Sequence, residues 1–378
     1  MLKDILENPI ERKYIRGYTS CLETIRNVRS RPLVLFGAGG YGQKILASLK
    51  SDGILPQYFC DNDRKKWETI IDGIPVISPK RMTCLNRPLV LISSVFQIEL
   101  SAQLEGLGIQ DYLACDALDF TLKTNGRHYS ERLIYENRQS IASFHSKLKD
   151  ELSRKTLENV INFRLSGDLG YLSHIRDVNI YFPEVIKLNE TEIFIDVGAF
   201  DGDVIESFFQ RINSPTCVVY AFEPETESCK LLRGKYNDDA RVFISNDILY
   251  DRKCFVAFSR DPNGMGSFVI SSSDFKNDIH SVAAHSLDEQ LPVLKGSAYL
   301  KMDAEGAELA ILRGAESFIN MVRPKLAISV YHKPADLWEL PQFVDALDLN
   351  YDFYLRHYSQ SISDTVVFAV PKKNYLTN

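Results

Sequence analysis

The chain has 378 residues, with 44 basic against 50 acidic side chains and a formal net charge of −6. Hydrophobic residues make up 45% and charged residues 25%, the balance of a soluble two-domain protein rather than of a disordered, collagenous or coiled-coil chain. A mildly acidic sequence without a Lys/Arg-dense stripe argues against nucleic acid as a partner, because a phosphate-binding surface needs a basic excess.

Residues 1–30 interleave charge with apolar positions and read as a helical extension. They lack the apolar core of roughly 7–15 residues that marks an export signal, and no apolar run approaches the roughly 18 residues of a membrane span. The seven cysteines, at 21, 60, 84, 115, 217, 229 and 254, are scattered and contain no C-x-x-C pair. Neither a disulfide framework nor a zinc ligand set is expected, which fits a reducing, cytoplasmic setting.

Over 31–127 short apolar runs alternate with amphipathic stretches. Strands are predicted at 32–36, 57–60, 88–94 and 111–114, with helices at 41–50 and 98–108. That order predicts parallel βαβ units and a small doubly wound, Rossmann-like domain. The turn Phe36-Gly37-Ala38-Gly39-Gly40-Tyr41-Gly42 follows a strand, opens a helix and fits G-x-G-x-x-G at Gly37, Gly39 and Gly42. Asp61 lies 24 residues after Gly37, at the end of the second strand, where a ribose contact is expected. Through Asp61-Asn62-Asp63 and the run at 71–79, the segment resembles the nucleotide-sugar-binding domain of certain sugar acyltransferases, and it also resembles NAD-binding domains. Its ligand stays open between NAD, a nucleotide-sugar and none. No Tyr-x-x-x-Lys pair or reactive cysteine for hydride chemistry follows.

Residues 128–185 carry Leu133, Ile134, Ile141, Phe144, Leu148, Leu152, Leu157, Val160 and Ile161 among charges at helical spacings. They read as a connecting helical segment packed on the second domain. From 186 to 378 the strand–helix alternation returns. Strands are predicted at 192–197, 217–223, 241–245, 298–303, 325–332, 351–357 and 365–370, and helices at 203–211, 225–236, 306–319 and 335–348. The last two strands are too close for a crossover helix, so a mostly parallel seven-stranded sheet with an antiparallel last strand is expected. An insertion over about 250–290 has its own short β-like pieces, with 264–268 as a loop. The expected fold class is α/β: two doubly wound, Rossmann-like domains joined by a helical segment.

Residues 193–203 read Ile-Phe-Ile-Asp-Val-Gly-Ala-Phe-Asp-Gly-Asp. A strand ending in an acid, then a Gly-rich turn and a helix, places backbone N–H groups at the carboxyl edge of the sheet, where open α/β sheets bind ligands. Gly198 and Gly202 let the backbone approach such a ligand. Asp196, Asp201 and Asp203 repel phosphates and suit a ligand with a positive charge and an amino group. The second strand ends in Glu223, 27 positions after Asp196, where a ribose diol is held. The third ends in Asn246 and Asp247, either one placed to reach an adenine edge. These three tips describe S-adenosylmethionine better than NAD. The expected cofactor-binding set is Asp196, Gly198, Ala199, Asp201, Gly202, Glu223, Asn246 and Asp247.

The residues Tyr181-Phe182-Pro183, the run 196–203, Phe222-Glu223-Pro224, Ser286-Leu287-Asp288-Glu289 and, above all, L-K-M-D-A-E-G-A-E-L-A-I-L-R-G-A at 300–315 carry a resemblance. Over about 181–371 the chain resembles the FkbM-type family of S-adenosylmethionine-dependent methyltransferases. The resemblance implies a class I methyltransferase fold with a final antiparallel strand. It also implies O-methylation of a sugar, nucleotide-linked sugar or other hydroxylated small molecule, in polysaccharide or secondary-metabolite assembly.

Methyl transfer from a sulfonium is an in-line displacement, which asks a protein to align the reacting atoms and take up a proton. Asp303, at the tip of the fourth strand of this series, is the expected base or acceptor-orienting group, with Glu305 beside it. Glu308 is expected on the following helix, facing outward. His332 ends the fifth strand. It reads equally as a second base, given an ordinary pKa of about 6.5, and as a histidine hydrogen-bonded in a strand-end loop. His280 and His285 are weaker candidates. A divalent metal on Asp303, Glu305 and a third carboxylate is the minority reading, and none is expected. The competing functions are an NAD-dependent oxidoreductase acting from the N-terminal domain and a non-catalytic scaffold. A small-molecule substrate is expected, and homo-oligomerisation is left open.

Overall fold

Near-continuous aliphatic runs such as Leu33–Phe36 and Leu89–Ile92 belong in strands buried on both faces, and both are buried along their whole length. The structure, a computed structural model, describes residue 25, residues 31–114 without 52 and 95, and residues 131–372 without 167–169, 213, 261–266, 271–280 and 360. Apart from Ile25, the extension expected over 1–30 lies outside the described residues, as do His280 and residues 264–266 of the expected loop. The chain divides into two units interleaved in sequence. One gathers the described residues up to 146 with 151–178 and 356–365; the other gathers 147–150, 179–355 and the residues from 366.

The first unit holds β1 (Leu33–Phe36), β2 (Tyr58–Cys60), β3 (Ile70–Ile71), β4 (Ile74–Ile77), β5 (Leu89–Ile92) and β6 (Tyr112–Ala114), in the sheet order β3-β4-β2-β1-β5-β6. All its pairings are parallel except that of β3 with β4. Helices Gly40–Ser51 and Gln97–Gly106 serve as crossovers. The β3–β4 hairpin was not predicted. Asp72 and Gly73, at φ 49° and 82°, form its two-residue turn. Such a turn needs positive φ at both positions, which an Asp-Gly pair readily adopts, so that dipeptide was the available signal. The helical stretch forms four helices, Glu131–Glu136, Arg138–Lys147, Glu151–Ser166 and Gly170–Ser173. Of it, 147–150 and 179–185 cluster with the second unit and the other described residues with the first, whereas the whole had been expected on the second. Within the first unit the Ser153 hydroxyl accepts from Arg356 at 2.8 Å and Arg176 bridges His357, ties to the distant 356–365 segment that periodicity cannot reveal.

The second unit holds β7 (Ile193–Val197), β8 (Val218–Phe222), β9 (Val242–Ser245), β10 (Ile248–Tyr250), β11 (Cys254–Arg260), β12 (Ser267–Ile270), β13 (Ser281–Ser286), β14 (Ala298–Met302), β15 (Lys325–Ser329) and most of β16 (Tyr351–His357) and β17 (Thr365–Pro371), of which Arg356, His357 and Thr365 cluster with the first. Seven of these make the main sheet, in the order β16-β17-β15-β14-β7-β8-β9. The run from β15 through β14, β7 and β8 to β9 is parallel, and β17 joins β15 antiparallel. Strand order reverses between β7 and β14. That switch point sets their carboxyl ends side by side and opens a crevice there.

Strands β10-β13-β11-β12 form a separate small sheet, so the insertion has the β character expected, and β12 takes in the last two residues of the predicted loop 264–268. The helix predicted over 306–319 is two helices, Glu308–Gly314 and Glu316–Val322, interrupted at Ala315. The break frees the first N–H groups of the second helix, and Asp288 accepts those of Ser317 and Phe318. Ser286 and Glu289 close a capping box around the short helix that carries Asp288.

Candidate active site

The turn after β7 is pressed onto the chain leaving β14. Gly198 has φ 76°, and a Cβ on it would stand 1.9 Å from the Asp303 carbonyl oxygen; Asp303 N donates to Val197 O at 3.0 Å. No side chain fits there. Beneath the turn, Lys301 donates to Gly198 O at 2.7 Å and pairs with Asp196 at 2.8 Å, with both side chains buried. Burial pushes the Asp196 carboxyl up, and Lys301 opposes it. The sequence reading offered this carboxylate directly to a cationic ligand, whereas the folded chain turns it onto Lys301 under the loop.

Glu223, at the tip of β8, is buried and reaches both neighbouring segments. One oxygen accepts from Phe200 N and the other from Glu225 N, each at 2.8 Å. Burial raises its pKa against those two bonds. Asn246 is exposed and donates to Glu223 O at 2.8 Å, while Asp247 accepts from the Ser245 hydroxyl. Gly198, Gly202, Glu223 and Asn246 thus form one connected edge, with Ala199 buried and Asp201 partly exposed in the turn. Phe200 stands in that turn at φ 47° and 58% exposed, a bulky residue in a region that L side chains avoid.

Asp303 follows β14 and is 26% exposed. Its Oδ2 accepts from the Tyr181 hydroxyl at 2.8 Å, its Oδ1 from that of Tyr331 at 2.9 Å, and His332 Nε2 lies 3.3 Å from Oδ1. Burial pushes the carboxyl up, but His332, Lys301 and the two hydroxyls outweigh it and hold it below the ordinary range. His332 is buried with Nδ1 2.7 Å from Glu308 and Nε2 3.7 Å from Glu305. Burial disfavours its charge, yet Glu308, Asp303 and Glu305 raise its pKa to about 9. At neutral pH it is an imidazolium, so the reading of His332 as a free base gives way to that of a fixed cation.

Glu308 does not face outward. It is fully buried at the start of its helix and folds back to accept from Ala304 N at 2.8 Å. A first-turn carboxylate is drawn there by the unpaired N–H groups of the helix end and here also by His332. Asp336, packed nearby, is pushed up to about 7 by burial and by Glu308.

Tyr181 and Lys301 entered the sequence reading only as parts of the resemblance motifs, and neither they nor Tyr331 were predicted as site residues. Tyr181 stands at φ 63°, accepts at its carbonyl from the Tyr299 hydroxyl and sets its ring 5.2 Å from the Lys301 ammonium. Lys301 had a signal, as the one charged residue in the strand Ala298–Met302.

In the first unit, Gly37 (φ 124°) and Gly42 lie in close backbone contact: a Cβ on Gly42 would meet Gly37 O at 1.9 Å. Nothing lies within 4 Å of a Cβ built on Gly39. Asp61, expected on a ribose, instead accepts from Ala38 N, Asp63 N and Lys66 Nζ at 2.8–2.9 Å. Burial pushes it up, but these donors prevail and lower its pKa. A carboxylate this fully engaged gives no support to a dinucleotide-dependent oxidoreductase.

Residues 196–355 match the family model described as the methyltransferase FkbM domain, and residues 30–113 match that described as C2185-like, N-terminal. Among solved structures, the methyltransferase FkbM from Methylobacillus flagellatus KT is similar with a TM-score of 0.76 at 20% identity, over 98% of this chain and 99% of that one. A SAM-dependent methyltransferase from Aquifex aeolicus gives 0.31 at 12% identity, over 53% and 97%. Aeropyrum pernix fibrillarin in complex with natively bound S-adenosyl-L-methionine gives 0.31 at 14%, over 49% and 70%. No curated protein matches the chain. Residues 196–355 of the second unit are thus similar to the FkbM methyltransferase domain, and the chain shares its fold with the Methylobacillus protein.

Proposed function

We propose that the second unit binds S-adenosylmethionine at the turn 198–202 and methylates a hydroxyl of a small molecule, a sugar or nucleotide-linked sugar, held against Asp303. The observation that carries this reading is the contact between Gly198 and Asp303: whatever the turn cradles lies beside that carboxylate. The donor set fits the cofactor. Glu223 keeps a lone pair on each oxygen for a diol, Asn246 lies at the exposed edge, and Asp201 adds negative charge near an amino group. S-adenosylmethionine supplies an electrophilic methyl group on sulfur.

The remaining work falls to this chain. Asp303 is ionised at neutral pH, is fixed by two tyrosine hydroxyls, and accepts the hydrogen of an acceptor O–H, which aims the oxygen. A carboxylate this acidic is a weak proton acceptor, so alignment is its larger contribution. His332, clamped by Glu308, holds Asp303 in place. Calorimetric titration with S-adenosylhomocysteine tests the cofactor, followed by transfer of labelled methyl to a panel of sugars and nucleotide-sugars. Binding weakened at least about tenfold in Glu223→Ala is expected; no heat at saturating ligand refutes the reading.

A further inference from the structure

Among the described residues, Asp303, Glu308 and His332 offer ligand atoms within 4.8 Å of one another. The imidazole commits Nδ1 to Glu308 at 2.7 Å. The side chain is 2% exposed and neither ring nitrogen makes a hydrogen bond, Nδ1 facing Glu308 as an ion pair; Nε2 is aimed between Asp303 Oδ1 at 3.3 Å and Glu305 Oε2 at 3.7 Å. Donors sharing a divalent ion at about 2.1 Å stand about 3.0 Å apart in an octahedron and about 3.4 Å apart in a tetrahedron. The separations of His332 Nε2 from Asp303 Oδ1 and Glu305 Oε2, 3.3 and 3.7 Å, are close to these values. A carboxylate behind Nδ1, leaving Nε2 free, is also how a metal-ligating histidine is usually oriented.

We propose that His332 Nε2, Asp303 and Glu305 bind a divalent cation, with Glu308 as the carboxylate that fixes the imidazole. One imidazole with two carboxylates suits Mn²⁺, Fe²⁺ or Zn²⁺. Asp303 and Glu305, 26% and 37% exposed, leave an open side where an acceptor oxygen can complete the shell. The cation and the Nε2 proton compete for the same carboxylate field, so binding releases a proton and tightens as pH rises. Lowering the pKa of a bound acceptor hydroxyl would be its part in methyl transfer, and this role alone rests on the function proposed above.

Chelator-treated full-length protein is titrated with Mn²⁺ at pH 6 and pH 8, with free ion read by electron paramagnetic resonance. One Mn²⁺ per chain is expected, at least about tenfold weaker at pH 6. His332→Gln should abolish binding. Glu305→Gln, at a partly exposed position that leaves the core untouched, should weaken it at least about tenfold. No binding at millimolar Mn²⁺ and pH 8, or wild-type affinity in both variants, overturns the proposal. S-adenosylhomocysteine titration in EDTA reads the methyltransferase assignment separately: if that fails while Mn²⁺ binds, the cation site stands and its part in methyl transfer falls.

Discussion

Asp303 holds two tyrosine hydroxyls and faces an imidazolium, yet keeps an open side, so its charge is available and its direction fixed. Asp303→Asn keeps the shape and removes the charge that aims an acceptor hydroxyl. Steady-state kinetics should show kcat lower by about 10²–10⁴, with affinity for S-adenosylhomocysteine within about threefold of wild type. His332 makes a stability prediction of definite sign. Its folded pKa of about 9 lies above its ordinary 6.5, so its clamp stabilises fully below pH 6.5 and is lost as pH rises through 9. Denaturant titrations should show stability falling by on the order of 3 kcal/mol across that window and a flatter profile in His332→Gln. Asp336, raised to about 7, contributes a fall of the same sign that ends near pH 7, so the range above isolates His332. At Gly198, Ala brings both a positive-φ penalty and a Cβ inside the Asp303 carbonyl. A loss of about 1–3 kcal/mol from the backbone alone is expected, with cofactor binding lost as the turn lifts. Gly198, Glu223 and Asp303 were legible in the sequence because each occupies a strand end. The charge state of His332 was not, because it is set by carboxylates that only packing assembles.

The central strands are joined at both ends by buried ion pairs. At the amino end, Lys325 of β15 pairs with Glu192 beside β7 at 2.9 Å, and the Ser297 hydroxyl donates to Glu192 while accepting from Lys325. At the carboxyl end, Lys301 of β14 pairs with Asp196 of β7 and holds the glycine turn above it. Lys301→Met strands a fully buried carboxylate, and urea denaturation should register a loss of about 3–5 kcal/mol, most of it recovered in the Asp196→Asn/Lys301→Met double variant. An undiminished loss in the double variant would mean that the lysine's bonds to the turn, rather than its charge pairing, carry the stability. Strand positions followed from apolar runs, which are local. The split of the 306–319 helix did not, because the Asp288 cap that favours it comes from a different segment.

Over the whole molecule a net charge of −6 spread through two interleaved units leaves little attraction for polyanions. Electrophoretic mobility assays with RNA at physiological salt should show no complex at micromolar protein; a salt-sensitive shift would reveal a basic face that the net charge conceals. No described helix is long and apolar enough to cross a membrane. Two parallel-dominated sheets, the glycine turns and the acids at strand tips could be read from the sequence, because strand period, turn chemistry and strand-end position depend on residues adjacent in the chain. Which charges face ligand and which are consumed internally was decided only in three dimensions. Asp61 is spent on Lys66 and on its own glycine turn, Asp196 on Lys301, and Glu308 on His332. Such pairings join elements far apart in sequence, and the low polarity of the packed interior, absent from any local pattern, makes them strong enough to set the site.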